Sequence, residues 1–318
     1  TFNLIQMTNR ITELDISTEP AFLPNECYQK PFFSFHKGDA LNLIKHVENE
    51  SVDCVLTDPP YLYLKGQKLE RDFDENLFFT ECKRILKKNG FVVIFGRGTS
   101  FYRWNTILSD LGFFFKEEII WNKSMGTSPL SKLCRIHETI AIYAKCNVSI
   151  NKVKIPYLEA KEYDIEKILV DVNRIKSTLG NPQSLQYLSD FLNGNRSDME
   201  LNTRFTKHKV TSDIRKSGAR EVNTLASIQN GITEKSIIHI VREHYNTIHP
   251  TQKPIRLLER LLALTTKEGD LVLDPFSGSC STGIACINTI RRFIGYEIDE
   301  EYYNKAVERI KKIEPRLF

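Results

Sequence analysis

Val52-Asp53-Cys54-Val55-Leu56-Thr57-Asp58-Pro59-Pro60-Tyr61 is the stretch whose reading decides the fold. Val52, Val55 and Leu56 in a short apolar run predict a buried parallel strand, and the diproline stops it abruptly. In an open α/β sheet, ligands bind just beyond the carboxyl ends of strands. The residues that follow this strand form a small chemical kit. Asp58 can accept a hydrogen bond from an amino group, and Pro59 offers a carbonyl with no competing N–H of its own. Tyr61 presents a flat face on which a planar heterocycle can stack. The same residues would also make a plain strand-ending turn with Tyr61 packed on the sheet, so the rest of the chain has to decide.

Upstream, residues 1–35 are poorly periodic, with Pro20, Pro24, Pro31 and the aromatic residues Phe32, Phe33 and Phe35, and read as an extended N-terminal lead-in. Phe35-His36-Lys37-Gly38-Asp39-Ala40 reads as a strand end entering a helix, because Leu41, Ile44, Lys45 and Val47 follow at helical spacing. Asp39 falls where an N-cap belongs, and a carboxylate there can cap and bind at once. Downstream, residues 62–75 carry Lys65, Lys68, Arg71 and Gly66 and predict a loop over the strand end. A helix is expected over Asn76–Lys88, ended by Asn89-Gly90, then a strand over Phe91–Phe95. A turn at Gly96–Ser100, a helix over Phe101–Leu111 and strands at Ile119–Trp121 and Thr139–Tyr143 complete this half. Strand and helix alternate over 36–145, which predicts a parallel-rich sheet with helices on its faces.

Near residue 147 this rhythm stops, and helices are expected only at Ile165–Leu179 and Leu185–Leu192. Arg196, Arg204, Lys207, Lys209, Arg215, Lys216 and Arg220 lie together in 196–220 against three acidic residues, with Phe205 and His208 among them. Such a run is a solvated face or a surface for a polyanion. The regular pattern resumes at His249-Pro250-Thr251-Gln252-Lys253-Pro254. A helix over Ile255–Thr265 follows, then a strand ending in Asp274-Pro275. Phe276-Ser277-Gly278-Ser279-Cys280-Ser281-Thr282-Gly283 is a small-residue loop opening a helix, which lets backbone approach a ligand closely. Glu297 ends the next strand, and Asp299 caps a last helix with Tyr303, Ala306, Val307, Ile310 and Ile313 on one face.

The chain has 318 residues, 41% hydrophobic and 26% charged, with a net charge of +4. These values fit a large α/β domain carrying an inserted one, and they leave any phosphate-binding surface to local charge. Nothing has the length of a membrane span, and the N-terminus lacks the apolar core of a signal peptide. Seven scattered cysteines without CxxC spacing predict reduced thiols in a cytoplasm, no disulfides and no metal site.

Asp58-Pro59-Pro60-Tyr61 resembles the catalytic tetrapeptide of the amino-group DNA methyltransferases, which act on N6 of adenine or N4 of cytosine. Phe276-Ser277-Gly278 resembles their FxG loop around the methionine moiety of S-adenosylmethionine, and His249 to Pro254 resembles their HPTxKP stretch. The order matters: tetrapeptide first, basic segment second, cofactor loop last. It resembles the beta group of this family, of the restriction–modification type. Protein-glutamine and ribosomal-RNA methyltransferases tend to carry the cofactor loop first.

The resemblance implies a Rossmann-like S-adenosylmethionine-dependent methyltransferase sheet with helices on both faces and an inserted target-recognition region. The implied divisions are an N-terminal extension at 1–35, a catalytic half at 36–146, the target-recognition insertion at 147–240 and a cofactor-binding half at 241–318. The catalytic residues would be Asp58, Pro59, Pro60 and Tyr61. Cofactor contacts would come from Asp39, Ala40, Asp58, His249, Thr251, Lys253, Pro254, Asp274, Phe276, Ser277, Gly278, Ser279, Cys280, Ser281, Thr282, Glu297 and Ile298. DNA contacts would come from Arg204, Lys207, Lys209, Arg215, Lys216 and Arg220. Cys280 departs from the family, which usually has Gly there, and its side chain is expected to narrow the cofactor pocket.

Adenine is the expected target, since the family's N4 enzymes more often carry Ser where Asp58 stands; cytosine N4 is the alternative. Cytosine C5 chemistry needs a thiolate, usually from a Pro-Cys dipeptide, and no cysteine here follows a proline. A NAD-dependent oxidoreductase would need a tighter glycine fingerprint and would leave the tetrapeptide and the His249–Pro254 stretch unexplained. A non-catalytic DNA-binding protein would have no need of Asp58 and Tyr61. The implied partners are double-stranded DNA, a cognate restriction endonuclease and a second copy of the chain, in a cytoplasm of bacterial or phage origin.

Overall fold

The structure, a computed structural model, describes residues 27–30, 32–61, 71–124, 126, 132–194, 219–242 and 247–313. The chain divides into two compact units: Thr1–Asn151 with Ser236–Phe318, and Lys152–Lys235. In the first, β1 (Cys27–Lys30) and β2 (Phe33–Lys37) lead through the short helix α1 (Ala40–Leu43) to β3 (Val52–Thr57). Then come α2 (Glu75–Ile85), β4 (Leu86–Gly96), α3 (Gly98–Asp110), β5 (Phe114–Asn122) and β6 (His137–Ala144). The second unit holds β7 (Lys154–Ile155), α4 (Tyr157–Ala160), α5 (Ile165–Ser177), α6 (Pro182–Leu192), α7 (Ala219–Asn230) and β8 (Ile232–Thr233). The chain returns to the first unit through β9 (Ile237–His239), α8 (Ile255–Thr265), β10 (Leu271–Asp274), α9 (Ser281–Asn288), β11 (Arg292–Glu297) and α10 (Glu300–Lys311).

The sheet of the first unit runs β1-β2-β11-β10-β3-β4-β6-β5-β9. β2, β11, β10, β3 and β4 are mutually parallel, so their carboxyl ends share one edge. β6 lies antiparallel to both β4 and β5, and so begins at the edge where those two strands end. The strand order explains why two distant pieces of sequence share that edge. β3 pairs directly with β10, Val272 opposite Cys54 and Leu273 opposite Val55.

The helices are held by apolar faces. α2 buries Phe78, Phe79, Cys82 and Ile85, spaced as one face of a 3.6-residue helix, and Asp74 caps it by accepting from the Leu77 N–H at 2.9 Å. Fully buried Trp104 of α3 packs into the same core. Each such large side chain contributes roughly 1.5–3 kcal/mol by leaving water. Among the described residues no helix is long and apolar enough to cross a membrane.

Three expectations need correction. The helix expected over Asn76–Lys88 ends at Ile85, because Leu86 turns extended and pairs with Val52. Cys54 then pairs with Phe91, so residues 87–90 bulge from β4, and Asn89-Gly90 marks that bulge, not a helix stop. The Lys87 ammonium ties the bulge to Asp53 at 2.8 Å. Second, α7 was not legible: it buries the modest side chains of Val222 and Ala226 and polar Thr224, which leave little periodic apolar signal. Third, residues 147–151 and 236–240 belong with the sheet, where Ile237–His239 pairs parallel to β5.

Candidate active site

The shared sheet edge collects polar side chains from strands that are far apart in sequence. Asp39 follows β2, Glu297 ends β11, Asp274 ends β10, Asp58 follows β3 and Arg97 follows β4. Lys123 follows β5, and Glu138 sits near the start of β6, opposite Trp121. Together they surround a cavity of about 520 Å³, within the usual range for small-molecule sites. Of the residues expected at catalytic or cofactor positions, Asp39, Ala40, Asp58, Pro59, Pro60, Tyr61, His249, Thr251, Lys253, Asp274, Phe276, Ser277, Gly278, Ser279, Ser281, Thr282, Glu297 and Ile298 all line it.

Two residues do not line it. Pro254 is the N-cap of α8. Cys280 is fully buried, and its sulfur packs where a Cβ on Gly283 would stand, 2.5 Å from that position. Its φ of +55° lies in the left-handed region, where a glycine would be unstrained. The expected narrowing of the pocket is therefore corrected: Cys280 points away, and the family's glycine answers a backbone need.

On one side of the cavity Asp58 faces an ammonium and a phenol. The Tyr61 hydroxyl donates to Oδ1 and the Lys253 ammonium to Oδ2. Lys253 also pairs with Glu138 Oε2 at 3.1 Å, and Lys123 donates to Glu138 Oε1 at 2.9 Å. The Lys253 nitrogen sits 4.9 Å from the centre of the Phe95 ring, a cation–π distance. Withdrawal from water raises the Asp58 carboxyl above its ordinary value, and Lys253 offsets part of that rise. Burial opposes ionisation of Glu138 too, but its two lysines outweigh it and bring the carboxyl to about 2. The tetrapeptide turn is pinned by the Ser100 hydroxyl, which donates to the Tyr61 carbonyl, and by Trp104, 6.0 Å from the Tyr61 ring centre.

On the other side, Asp274 meets only neutral donors. The Thr282 hydroxyl donates to it at 2.6 Å and the Phe276 N–H at 3.2 Å, and burial raises its carboxyl to about 7. Gly278, with φ +52°, passes under His249, whose ring atoms lie 3.4 Å from where a Cβ would be. Its N–H donates to Glu297 Oε2 at 2.8 Å, while the Asp299 N–H donates to Oε1 at 2.8 Å. In a dinucleotide site that loop N–H would face a pyrophosphate; here it is committed to a carboxylate, which would repel one. Burial keeps His249 neutral, with a pKa of about 4, and its Nδ1 accepts from the Thr251 N–H at 3.3 Å. Asp39 caps α1 by accepting from the Asn42 N–H at 3.0 Å.

The expected DNA contacts at Arg204, Lys207, Lys209, Arg215 and Lys216 lie outside the described residues, as do residues 1–26 and 62–70; Arg220 lies on α7 in the second unit. Lys123 and Glu138 escaped the sequence reading. Each looks like an ordinary strand-end charge, and only the β5–β6 pairing turns both into the cavity.

A sheet with acidic strand ends on one edge, and an Asp-Pro-Pro-Tyr turn lining the same cavity as a small-residue loop, is the arrangement that the resemblance to amino-group methyltransferases implies. The sequence profile of the DNA methylase family matches residues 52–308, and a methyltransferase-domain profile matches residues 1–94. The chain belongs to the DNA methylase family; with its tetrapeptide before its cofactor loop, it is a beta-group amino DNA methyltransferase. It is 26% identical to the Type II methyltransferase M.HinfI of Haemophilus influenzae over 88% of its own length and 68% of that protein's. It is 25% identical to the Type II methyltransferase M.HpaI of Haemophilus parainfluenzae, over 86% and 72%. In fold it resembles the cytosine-N4-specific PvuII DNA methyltransferase, with 17% identity and a TM-score of 0.54 over 95% of this chain and 96% of that one. It also resembles M1.HpyAVI, with 20% identity and a TM-score of 0.52 over 87% and 98%.

Proposed function

We propose that the protein transfers a methyl group from S-adenosylmethionine to N6 of an adenine flipped out of duplex DNA at a specific site. The observation that carries this reading is that Asp58 to Tyr61 and, Cys280 apart, the loop from Asp274 to Thr282 line one cavity. The chain's own residues fit the cofactor. Glu297 and Asp39 offer carboxylate acceptors suited to ribose hydroxyls and an adenine amino group, and Gly278 leaves a side-chain-free surface beside His249. Acidic strand ends suit a cationic cofactor better than a phosphorylated one.

When bound, S-adenosylmethionine would supply an electrophilic methyl, leaving as S-adenosylhomocysteine as the N–C bond formed and the C–S bond broke, with the extra proton on nitrogen passing to solvent. Asp58 and the Pro59 carbonyl accept hydrogen bonds from the amino hydrogens, which draws the nitrogen lone pair out of conjugation and aims it. Positioning and electrostatics carry the catalysis, with no covalent enzyme intermediate. Tyr61 stacks on the extruded base and replaces part of the lost stacking, roughly 1–3 kcal/mol.

Adenine is favoured by Asp58, which stands where N4 enzymes of the resembling family more often carry Ser. Nucleoside mass spectrometry after incubation of mixed-sequence duplex DNA with methyl-labelled cofactor tests the reading. Labelled N6-methyladenine is the expected product; N4-methylcytosine would reverse the base, and no labelled nucleoside with any DNA would reject the reading. Replacing Arg215 and Lys216 together with Gln should weaken DNA binding and reduce its salt slope by about 2, read by fluorescence anisotropy at several salt concentrations. A cognate restriction endonuclease and a cytoplasmic setting belong to the same proposal, which the likeness to Type II methyltransferases supports, and a homodimer can be tested by light scattering.

A further inference from the structure

The chain of charges behind Asp58 reaches beyond the residues that the methyl-transfer geometry uses. Lys123, Glu138, Lys253 and Asp58 alternate in sign across the cavity wall, linked by contacts at 2.9 Å and 3.1 Å and by the Lys253–Asp58 pair. Lys123 and Lys253 are both buried, and each has a carboxylate partner. The apolar rings of Phe95 and Trp121 lie 4.9 Å and 6.0 Å from the Lys253 nitrogen, so water is a poor substitute for those partners.

Asp58 has to present lone pairs to an amino group, and positive charge grows on that nitrogen as it is methylated. An ammonium held by Asp58 alone would compete for those lone pairs and cancel the negative charge that the developing cation needs. Glu138 supplies a second anion for the same ammonium. We propose that Glu138 is a positioning residue: backed by Lys123, it shares the Lys253 ammonium and so leaves Asp58 able to accept the amino hydrogens of the target base. This rests on the proposed function of the site and extends it to a residue beyond the tetrapeptide and the cofactor loop.

The groups facing Asp58 and Lys253 are Tyr61 from the turn after β3, Glu138 from β6, His249 before α8 and Asp274 at the end of β10, while Lys123 after β5 faces Glu138. Glu138 raises both the Asp58 and the Lys253 pKa. Removing its charge should therefore lower the Asp58 midpoint as Lys253 moves fully onto Asp58.

The test compares the full-length wild type with Glu138→Gln, which keeps the shape and a hydrogen-bond acceptor but removes the charge, and with Glu138→Asp, which keeps the charge on a shorter stem. The Asp58 carboxyl is titrated by ¹³C NMR in protein without cofactor or DNA, its signal identified by its loss in Asp58→Asn. In Glu138→Gln the midpoint should fall by about half a pH unit or more. Single-turnover methyl transfer should fall about tenfold or more, with S-adenosylhomocysteine affinity changed less than about threefold. Glu138→Asp should restore the midpoint and part of the rate, whereas a steric role predicts it to be the worse of the two variants. An unchanged midpoint in Glu138→Gln, or Glu138→Asp performing worse than Glu138→Gln, overturns the inference. A wild type inactive on every DNA would count against the proposed function, and the midpoint comparison would still decide the role of Glu138.

Discussion

Asp58 and Asp274 stand at corresponding places, at the carboxyl ends of the adjacent parallel strands β3 and β10, yet the fold gives them different partners. Asp58 is held by an ammonium and a phenol within a cluster of four charges. Asp274 is held by a hydroxyl and a backbone N–H, and burial keeps its proton on until about pH 7. The difference teaches that strand-end position alone does not assign a role. Burial raises both, but a carboxylate beside an ammonium has part of that rise offset. One surrounded by neutral donors is a fastener, here tying the loop that begins at Pro275 to the first turn of α9.

The largest expected effect breaks or upholds the Asp58 half of this comparison. Asp58→Ala should lower single-turnover methyl transfer about a thousandfold, with S-adenosylhomocysteine affinity changed less than about fivefold. Rapid-quench assays and titration calorimetry measure the two, and undiminished transfer would remove Asp58 from the chemistry.

Asp274 is sharpened by pH. Folded, its carboxyl keeps a proton to about pH 7; unfolded, it loses that proton near its ordinary value of 3.8. The native state therefore binds more protons between those limits, and this group's contribution to stability falls as pH rises. Urea unfolding at pH 5 and pH 7 should show that fall in the wild type and lose about 2–3 kcal/mol of it in Asp274→Asn. A difference of the opposite sign would make Asp274 an ionised group and not a fastener.

Cys280→Gly should have the smallest effect. Relief of the left-handed strain, about 1–2 kcal/mol, is offset by lost burial of the side chain and a more flexible unfolded chain. Unfolding free energy should change by less than about 1 kcal/mol, and cofactor affinity by less than about twofold, because the side chain points away from the cavity. A large change in affinity would return Cys280 to the pocket wall.

Much of the site was legible because its residues are locally unusual. Asp58-Pro59-Pro60-Tyr61 ends a strand with residues that no continuing strand or helix would choose, and Asp274 to Thr282 opens a helix with small residues. Lys123 and Glu138 carry no such local mark, since a lysine after one strand and a glutamate near the start of another are ordinary solvent-facing choices. Cys280 misled for a related reason: a side chain replacing glycine in a ligand loop is read as filling the pocket, while its direction follows from the backbone dihedrals. The bulge at residues 87–90 was also hidden, because Asn89-Gly90 is as good a helix stop as a bulge, and only pairing with β3 chooses between them.

The sequence by itself determined the class of fold, the order of the two candidate half-sites and most of the residues that line the cavity between them. Period, punctuation and residue chemistry act locally and survive in a linear string. Only the tertiary structure decided that β3 and β10 are neighbours, that β5 and β6 bring Lys123 and Glu138 into the cavity beside Lys253, and that one strand-end aspartate meets an ammonium while the next meets neutral donors. Those outcomes depend on strand pairing and on which charges share a buried space. Coulomb interaction and desolvation act through distance in space, which sequence separation does not measure.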